Sequence, residues 1–293
     1  MYSCIALHPS ANPSDIPVAT LGIEVTIPHL AEACSLGNID PQHLGGDATT
    51  AAIEAAMTWP PPPPGTTLAT VRADADSVGA MAVLTLRATN LHPSVARMQI
   101  IADADKEASG PWPGPRPAPA PEGLVGPATP VMHLASDYTR SLPDRVELLA
   151  LWLMDAGEGD DELGEYAARA LDEAREALAD LQISLHGHVA VVVGSHRLAF
   201  ALGYRHAPVV VATNPGFSFA GGPPHRKHTV ARWNSATPAV DWHGLVDKLN
   251  AEDPAVTESA RWGGSASIVG SPQGISSGLA TEDVAVIVQH FVE

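Results

Sequence analysis

The stretch TLATVRADADSVGAMAVLTLR, residues 67–87, decides the fold. Thr67–Val71 is a short apolar run that reads as a buried strand. Val78–Arg87, rich in Ala, Leu and Met, reads as the helix after it. Strand, polar turn, helix is the rhythm of a parallel α/β sheet. The turn itself is Arg72-Ala73-Asp74-Ala75-Asp76-Ser77, at the carboxyl edge of the expected strand, where α/β sheets bind their ligands. Two carboxylates one residue apart can be brought round by a turn to a hard or borderline divalent ion. The small residues Ser77, Gly79 and Ala80 would let the helix begin close to it. The competing reading is that Asp74 or Asp76 caps the helix.

On either side of this unit the pattern repeats. Thr49–Met57 (TTAAIEAAM) reads as a helix, and Met98–Ala102 (MQIIA) predicts a second buried strand ending in Asp103-Ala104-Asp105. Trp59–Gly65 (WPPPPPG) is a stiff polyproline segment, and the proline-rich Ser109–Pro130 is expected to be a long loop or linker. From Asp144 to Leu181 apolar residues recur at helical spacing. Strands return at His188–Val193 and Ala207–Ala212, with a helix over His196–Tyr204 between them. HTVARW (residues 228–233), helices over Trp242–Asn250 and Thr281–Phe291, and a Gly/Ser-rich segment from Trp262 to Gly278 complete the chain. The expected architecture is two α/β lobes with largely parallel sheets joined by a helical linker. The first lobe covers residues 1–140, the linker 141–185 and the second lobe 186–293.

The balance of 33 acidic and 16 basic residues gives a net charge of −17, which argues against a broad grip on long duplex nucleic acid. No apolar run approaches the roughly 20 residues of a membrane-spanning helix, so no membrane association is expected. The N-terminus lacks the pattern of a secretory signal, and two lone cysteines, Cys4 and Cys34, suit a reducing compartment. The expected location is the cytoplasm.

Two further acidic clusters accompany Asp74 and Asp76. Asn38-Ile39-Asp40-Pro41-Gln42-His43 places an Asp and a His in one turn, a natural pair of metal ligands, although Asp-Pro is also a common turn opener. Asp103 and Asp105 again follow an apolar run. Together the clusters could hold one or two Mn2+ or Mg2+ ions.

In the second half, His225-Arg226-Lys227-His228 is the one dense basic run, with Arg232 close behind. It could attract a phosphate or be an exposed basic loop. Gly263, Gly264 and Ser265, and the segment Gly270–Gly274, offer backbone N–H groups suited to an anion, or simply a turn-rich loop. Gly194-Ser195-His196-Arg197 could bind an anion at a helix start. His186 and His188 read as structural. Phosphate-loop, nucleophile-elbow and Cys-x-x-Cys motifs are absent.

These residues carry a resemblance. VRADADSVGAMAVL resembles the first metal-binding motif of the DHH phosphoesterase superfamily, and NIDPQHLGG resembles its Asp-His-His motif. IIADAD resembles the intermediate motif, and the C-terminal region resembles the family's substrate-binding lobe. The motif order is the reverse of the family's, so that either the lobe is permuted or one of the two motifs is not its counterpart, and Arg72 stands where the family has a His. The resemblance implies a metal-dependent phosphoesterase that hydrolyses a nucleotide or short oligonucleotide by metal-activated water. It places Asp40, His43, Asp74 and Asp76 in catalysis. Those four residues with Asp103 would ligate manganese or magnesium. His225, Arg226, His228, Arg232, Gly263, Gly264 and Ser265 would bind substrate. The partners implied are a small phosphorylated substrate or short single-stranded oligonucleotide, with room for a homodimer. The alternatives are a metal-dependent hydrolase of a C–N bond and a non-catalytic nucleotide-binding protein.

Overall fold

A computed structural model describes residues 2–42, 50–109, 112–116, 120–155, 157–218, 222–233, 239–265 and 267–292. In chain order the elements begin β1 (Ser3–Ala6), β2 (Thr20–Ile23), α1 (Pro28–Ala33), β3 (Asn38–Ile39), α2 (Ala52–Thr58), β4 (Thr67–Thr70) and α3 (Ala75–Ala88). Next come α4 (Val95–Ser109), α5 (Pro121–Leu124), α6 (Thr129–Ala135), α7 (Leu142–Leu153) and α8 (Gly157–Asp180). The rest are β5 (Gln182–His186), β6 (Val189–Val193), α9 (Ala199–Gly203), β7 (Val209–Phe217), β8 (His225–Arg232), α10 (Trp242–Glu252), β9 (Gly263–Gly264), β10 (Ile268–Gly270) and α11 (Thr281–Gln289). Among the described residues no helix is long and apolar enough to cross a membrane.

The chain divides into two compact units, one of residues 1–109 and 125–170, the other of residues 110–124 and 171–293. In the first, the strand order is β1-β4-β2-β3 and every pairing is parallel. β2 and β4 are buried at all positions, as expected for strands covered on both faces. On one face Leu21, Ile23 and Leu68 pack against Ile53, Met81 and Leu149 from α2, α3 and α7. On the other, Val25 and Ala69 pack with Leu30 and Cys34 from the region of α1. Cys4 and Cys34 are free thiols, and burial pushes that of Cys4 up to about 11.

The strand expected at Met98–Ala102 is instead part of α4. Met98, Ile101 and Ala102 are its buried residues, spaced i, i+3, i+4 along the helix face that meets α2 and α3. A five-residue apolar run does not by itself distinguish a buried strand from the inner face of a helix.

The second unit holds a six-stranded sheet, β5-β6-β7-β8-β10-β9. The two-lobed α/β architecture is as expected, but this sheet is not largely parallel. Only β6 and β7 run parallel, and the other pairings are antiparallel. The connections explain the difference. β5 and β6 are joined by a tight turn at Gly187, whose φ of 57° favours glycine. The link from Phe217 to His225 is shorter than the roughly dozen residues a parallel crossover needs. One face of the sheet packs on α10 and α11 through Trp242, Leu245, Leu249, Val284 and Val288. The other is covered over β6 and β7 by Ala177, Leu181, Ala199 and Leu202.

The proline-rich stretch is not a free linker. Trp112 Nε1 donates to the Tyr204 carbonyl at 2.7 Å, and the Arg116 amide to the Arg205 carbonyl at 2.7 Å. Arg205 returns a bond to the Gly123 carbonyl at 3.0 Å. The part of the stretch up to Leu124, which includes α5, is therefore a strap bound to the second unit, while the residues from Val125 belong to the first.

Candidate active site

Because β1 to β4 all run parallel, their carboxyl ends share one edge. Glu24 follows β2, Asp40 follows β3, and Arg72 and Asp74 follow β4. Glu24 is buried, has a φ of 50°, and its amide bonds the Ile39 carbonyl at 2.9 Å. Its carboxylate accepts the Ser77 hydroxyl at 2.6 Å.

Asp74 is the N-cap of α3 and accepts the Ser77 amide at 3.1 Å. Its second oxygen lies 3.7 Å from Arg72 Nε, in an exposed pair. Asp76, only 2 % exposed, turns the other way. Its two oxygens accept the Ala52 and Ile53 amides at 2.6 and 2.9 Å. A carboxylate thus satisfies the orphan amides at the start of α2. Burial, followed by the charges of Glu24 and Asp105, pushes the Asp76 carboxyl well above the ordinary range, against the pull of the two amides.

Asp40 is half-buried at the same edge. His43 lies outside the described residues. Gln42 reaches α4, donating to Asp105 at 2.5 Å. Asp103 is on α4 but 62 % exposed, bonded to Gln99 at 2.5 Å and 3.9 Å from Lys106. The edge therefore gathers Asp40 and Asp74, with Asp76 on the first turn of α3, while Asp103 faces solvent. Among the described residues, no three His, Cys, Asp or Glu side chains converge tightly enough to form a metal cage.

Glu24, not among the candidates in the sequence, belongs to this group together with Asp105. Glu24 ends the apolar run TLGI, the same signal that marked Asp74. Asp105 is the helical neighbour through which α4 acts on Asp76.

In the second unit, the basic run is part of β8 rather than a loop, and most of its polar groups serve the fold. His225 is buried, with Nε2 facing the Gly274 amide at 3.3 Å. Arg226 donates to the Ser277 carbonyl at 2.6 Å. His228 is fully buried, with Nδ1 2.8 Å from the Thr213 hydroxyl and Nε2 3.2 Å from the Leu279 carbonyl. Its ring stacks on Trp262, with 6.1 Å between centroids. Arg232 lies over the Trp242 ring at 5.9 Å. Gly263, Gly264 and Ser265 are exposed at the sheet's edge, and the Ser265 amide closes the turn onto the Ile268 carbonyl at 2.8 Å.

Asp253 organises the segment that covers the basic run. It accepts from Trp262 Nε1 at 2.9 Å, the Ser277 hydroxyl at 2.6 Å and the Gly278 amide at 2.8 Å. Burial acts to raise its pKa, but these bonds and the Ala255 amide outweigh it and hold the carboxyl below its usual range. The anion expected at Gly194–Arg197 is supplied from within the chain. Asp180 accepts the Ser195 and His196 amides at 2.7 and 2.8 Å.

The first unit thus defines a class: a parallel α/β sheet with an acid-lined carboxyl edge. No family model matches the chain, and no curated protein sequence matches it. Among solved structures, a pGpG-specific phosphodiesterase, PggH from Vibrio cholerae, aligns with 92 % of this chain and 98 % of its own, at 9 % identity and a TM-score of 0.39. At that score the likeness assigns neither fold nor chemistry.

Proposed function

We propose that the chain is a metal-dependent phosphoesterase acting on a nucleotide or short oligonucleotide. The observation that carries the reading is the crowding of the buried Asp76 by Glu24, at the carboxyl edge of a parallel sheet, and by Asp105 from α4. A buried carboxylate whose pKa is raised by burial and by neighbouring carboxylates is relieved by a proton or by a cation. Their hard oxygen donors match Mn2+ or Mg2+. Asp40, Asp74 and Asp76 are the described residues that would be drawn together around the ion, Asp76 giving up its Ala52 and Ile53 amides to reach it, with His43 completing the set that the sequence motif implies. Asp103 enters only as the remaining member of that motif. A bound ion would supply Lewis-acid activation of water and neutralise phosphoryl charge. Glu24 would orient Ser77 and, through it, the start of α3. In the second unit, Arg226, Arg232 and the exposed Gly263-Gly264-Ser265 edge would bind substrate, with His225 and His228 shaping the strand beneath.

The engagement of Asp74 and Asp76 as helix caps favours a second reading, a nucleotide-binding protein without catalysis. One assay separates the two. Purified protein should release phosphate or mononucleotide from a panel of nucleotides and dinucleotides only with added Mn2+ or Mg2+, and Asp74→Ala should lose that activity. Ligand-induced thermal stabilisation without product would support the second reading. Activity retained in Asp74→Ala after chelation would overturn the metal-dependent one.

A further inference from the structure

Lys227 is the buried cation of the basic run, and no acid is paired with it among the described residues. The side chain is buried, at 7 % exposure. Its ammonium makes one bond, to the Ser271 carbonyl. No carboxylate pairs with it among the described residues, and burial alone shifts its pKa, downward, with no neighbouring charge contributing. That is anomalous in a chain with 33 acidic residues, because a buried ammonium without a counter-charge is costly. An ammonium has three donors, so two remain for a ligand.

What lies beside Lys227 is a window in the side-chain layer. Gly270 pairs with Thr229 on one side and Gly263 on the other, and directly paired residues share a face. Lys227, two residues before Thr229, shares that face. A Cβ on Gly270 would stand 3.1 Å from Lys227 Nζ, whereas a Cβ on Gly263 would meet nothing within 4 Å. On the same face Ile268 is 43 % exposed, so among the described residues the sheet is open beside Gly270. The glycine pair leaves bare backbone next to an uncompensated cation.

We propose that Lys227 and the Gly263–Gly270 pair form a phosphate-binding subsite within the second unit. The proposal rests on the phosphoesterase reading for its choice of anion. A phosphate or phosphodiester group lying in the window would provide the counter-charge that the fold withholds and accept the two remaining N–H bonds. Glycine at both positions is what lets the group reach the ammonium.

The test is calorimetric titration of the full chain with inorganic phosphate and pyrophosphate, without reading hydrolysis. The wild type should bind, and Lys227→Met should weaken binding at least tenfold. Gly263→Val fills the window where a side chain meets nothing of the fold, so it should weaken binding similarly while keeping the wild-type melting temperature. Absence of binding to the wild type overturns the proposal. So does affinity within twofold of wild type in either variant, provided its melting curve shows it folded. A wild type that binds phosphate through Lys227 yet turns over no phosphoester would count against the phosphoesterase reading alone.

Discussion

The Ser77 hydroxyl donates to the buried Glu24 carboxylate across 2.6 Å, while the Ser77 amide caps onto Asp74 at 3.1 Å. One small residue ties the end of β2 to the first turn of α3. Ser77→Ala should therefore lower the free energy of unfolding by about 1–3 kcal/mol, the cost of removing a donor from a buried carboxylate. Urea denaturation measures it. A loss below about 0.5 kcal/mol, the range of ordinary surface changes, would show that the bond contributes little.

Asp76 serves as an anchor for α2 and is proposed as a metal ligand, and two substitutions separate these roles. Asp76→Ala leaves the Ala52 and Ile53 amides without their acceptor and should cost about 1–3 kcal/mol. Asp76→Asn keeps one side-chain oxygen for an amide and removes a charge crowded by Glu24 and Asp105, so it should stay closer to wild type in stability. It should nevertheless abolish the rise in melting temperature that Mn2+ gives the wild type. A full Mn2+ shift in Asp76→Asn would remove Asp76 from the ligand set.

His228 makes stability depend on pH with a defined sign. The Leu279 carbonyl can only accept, so Nε2 carries the proton, and Thr213 donates to Nδ1 while itself accepting from Thr281 at 3.2 Å. Burial holds the pKa of His228 below its ordinary 6.5, further lowered by Arg226 and Lys227 and opposed by Leu279 and Asp253. The unfolded chain therefore takes up the proton first. This contribution is complete above about pH 6.5 and is lost as pH falls toward the folded-state value. Between pH 7 and 5 the unfolding free energy of the wild type should fall more steeply than that of His228→Gln, by up to about 1.4 kcal/mol per pH unit. Parallel slopes would show that His228 does not titrate differently in the two states.

Trp112 pins the proline-rich strap through its bond to the Tyr204 carbonyl. Trp112→Ala should destabilise the second unit by about 1–3 kcal/mol, visible as faster amide exchange at Tyr204 and Arg205. Unchanged exchange there would mean that the backbone bond of Arg116 suffices.

Much of this was legible in the residues. Thr67–Thr70 became a strand and Ala75–Ala88 a helix because the apolar run and the small-residue run differ in length and in β-branching. Asp74 and Asp76 fell where the strand-turn-helix pattern put them. Met98–Ala102 misled because its five residues alone conceal the spacing that α4 uses. The four-residue strands β1 and β2 carry no periodicity long enough to recognise. The basic run at 225–228 gave no sign that His228 and Lys227 would be buried, because burial there depends on the Ser271–Leu279 segment folding over β8, a contact remote in sequence.

The strap at residues 110–124 has a consequence for the order in which the molecule can be completed. Neither unit is an unbroken stretch of chain: the strap is made before residues 125–170, which return to the first unit. During synthesis it emerges ahead of Tyr204 and Arg205, its hydrogen-bond partners, and must wait for them. Domains generally finish in order from the N-terminus. Here the first unit must close around an excursion whose own partners do not yet exist. A gene cut at residue 170 would yield a second half lacking a piece of its own surface.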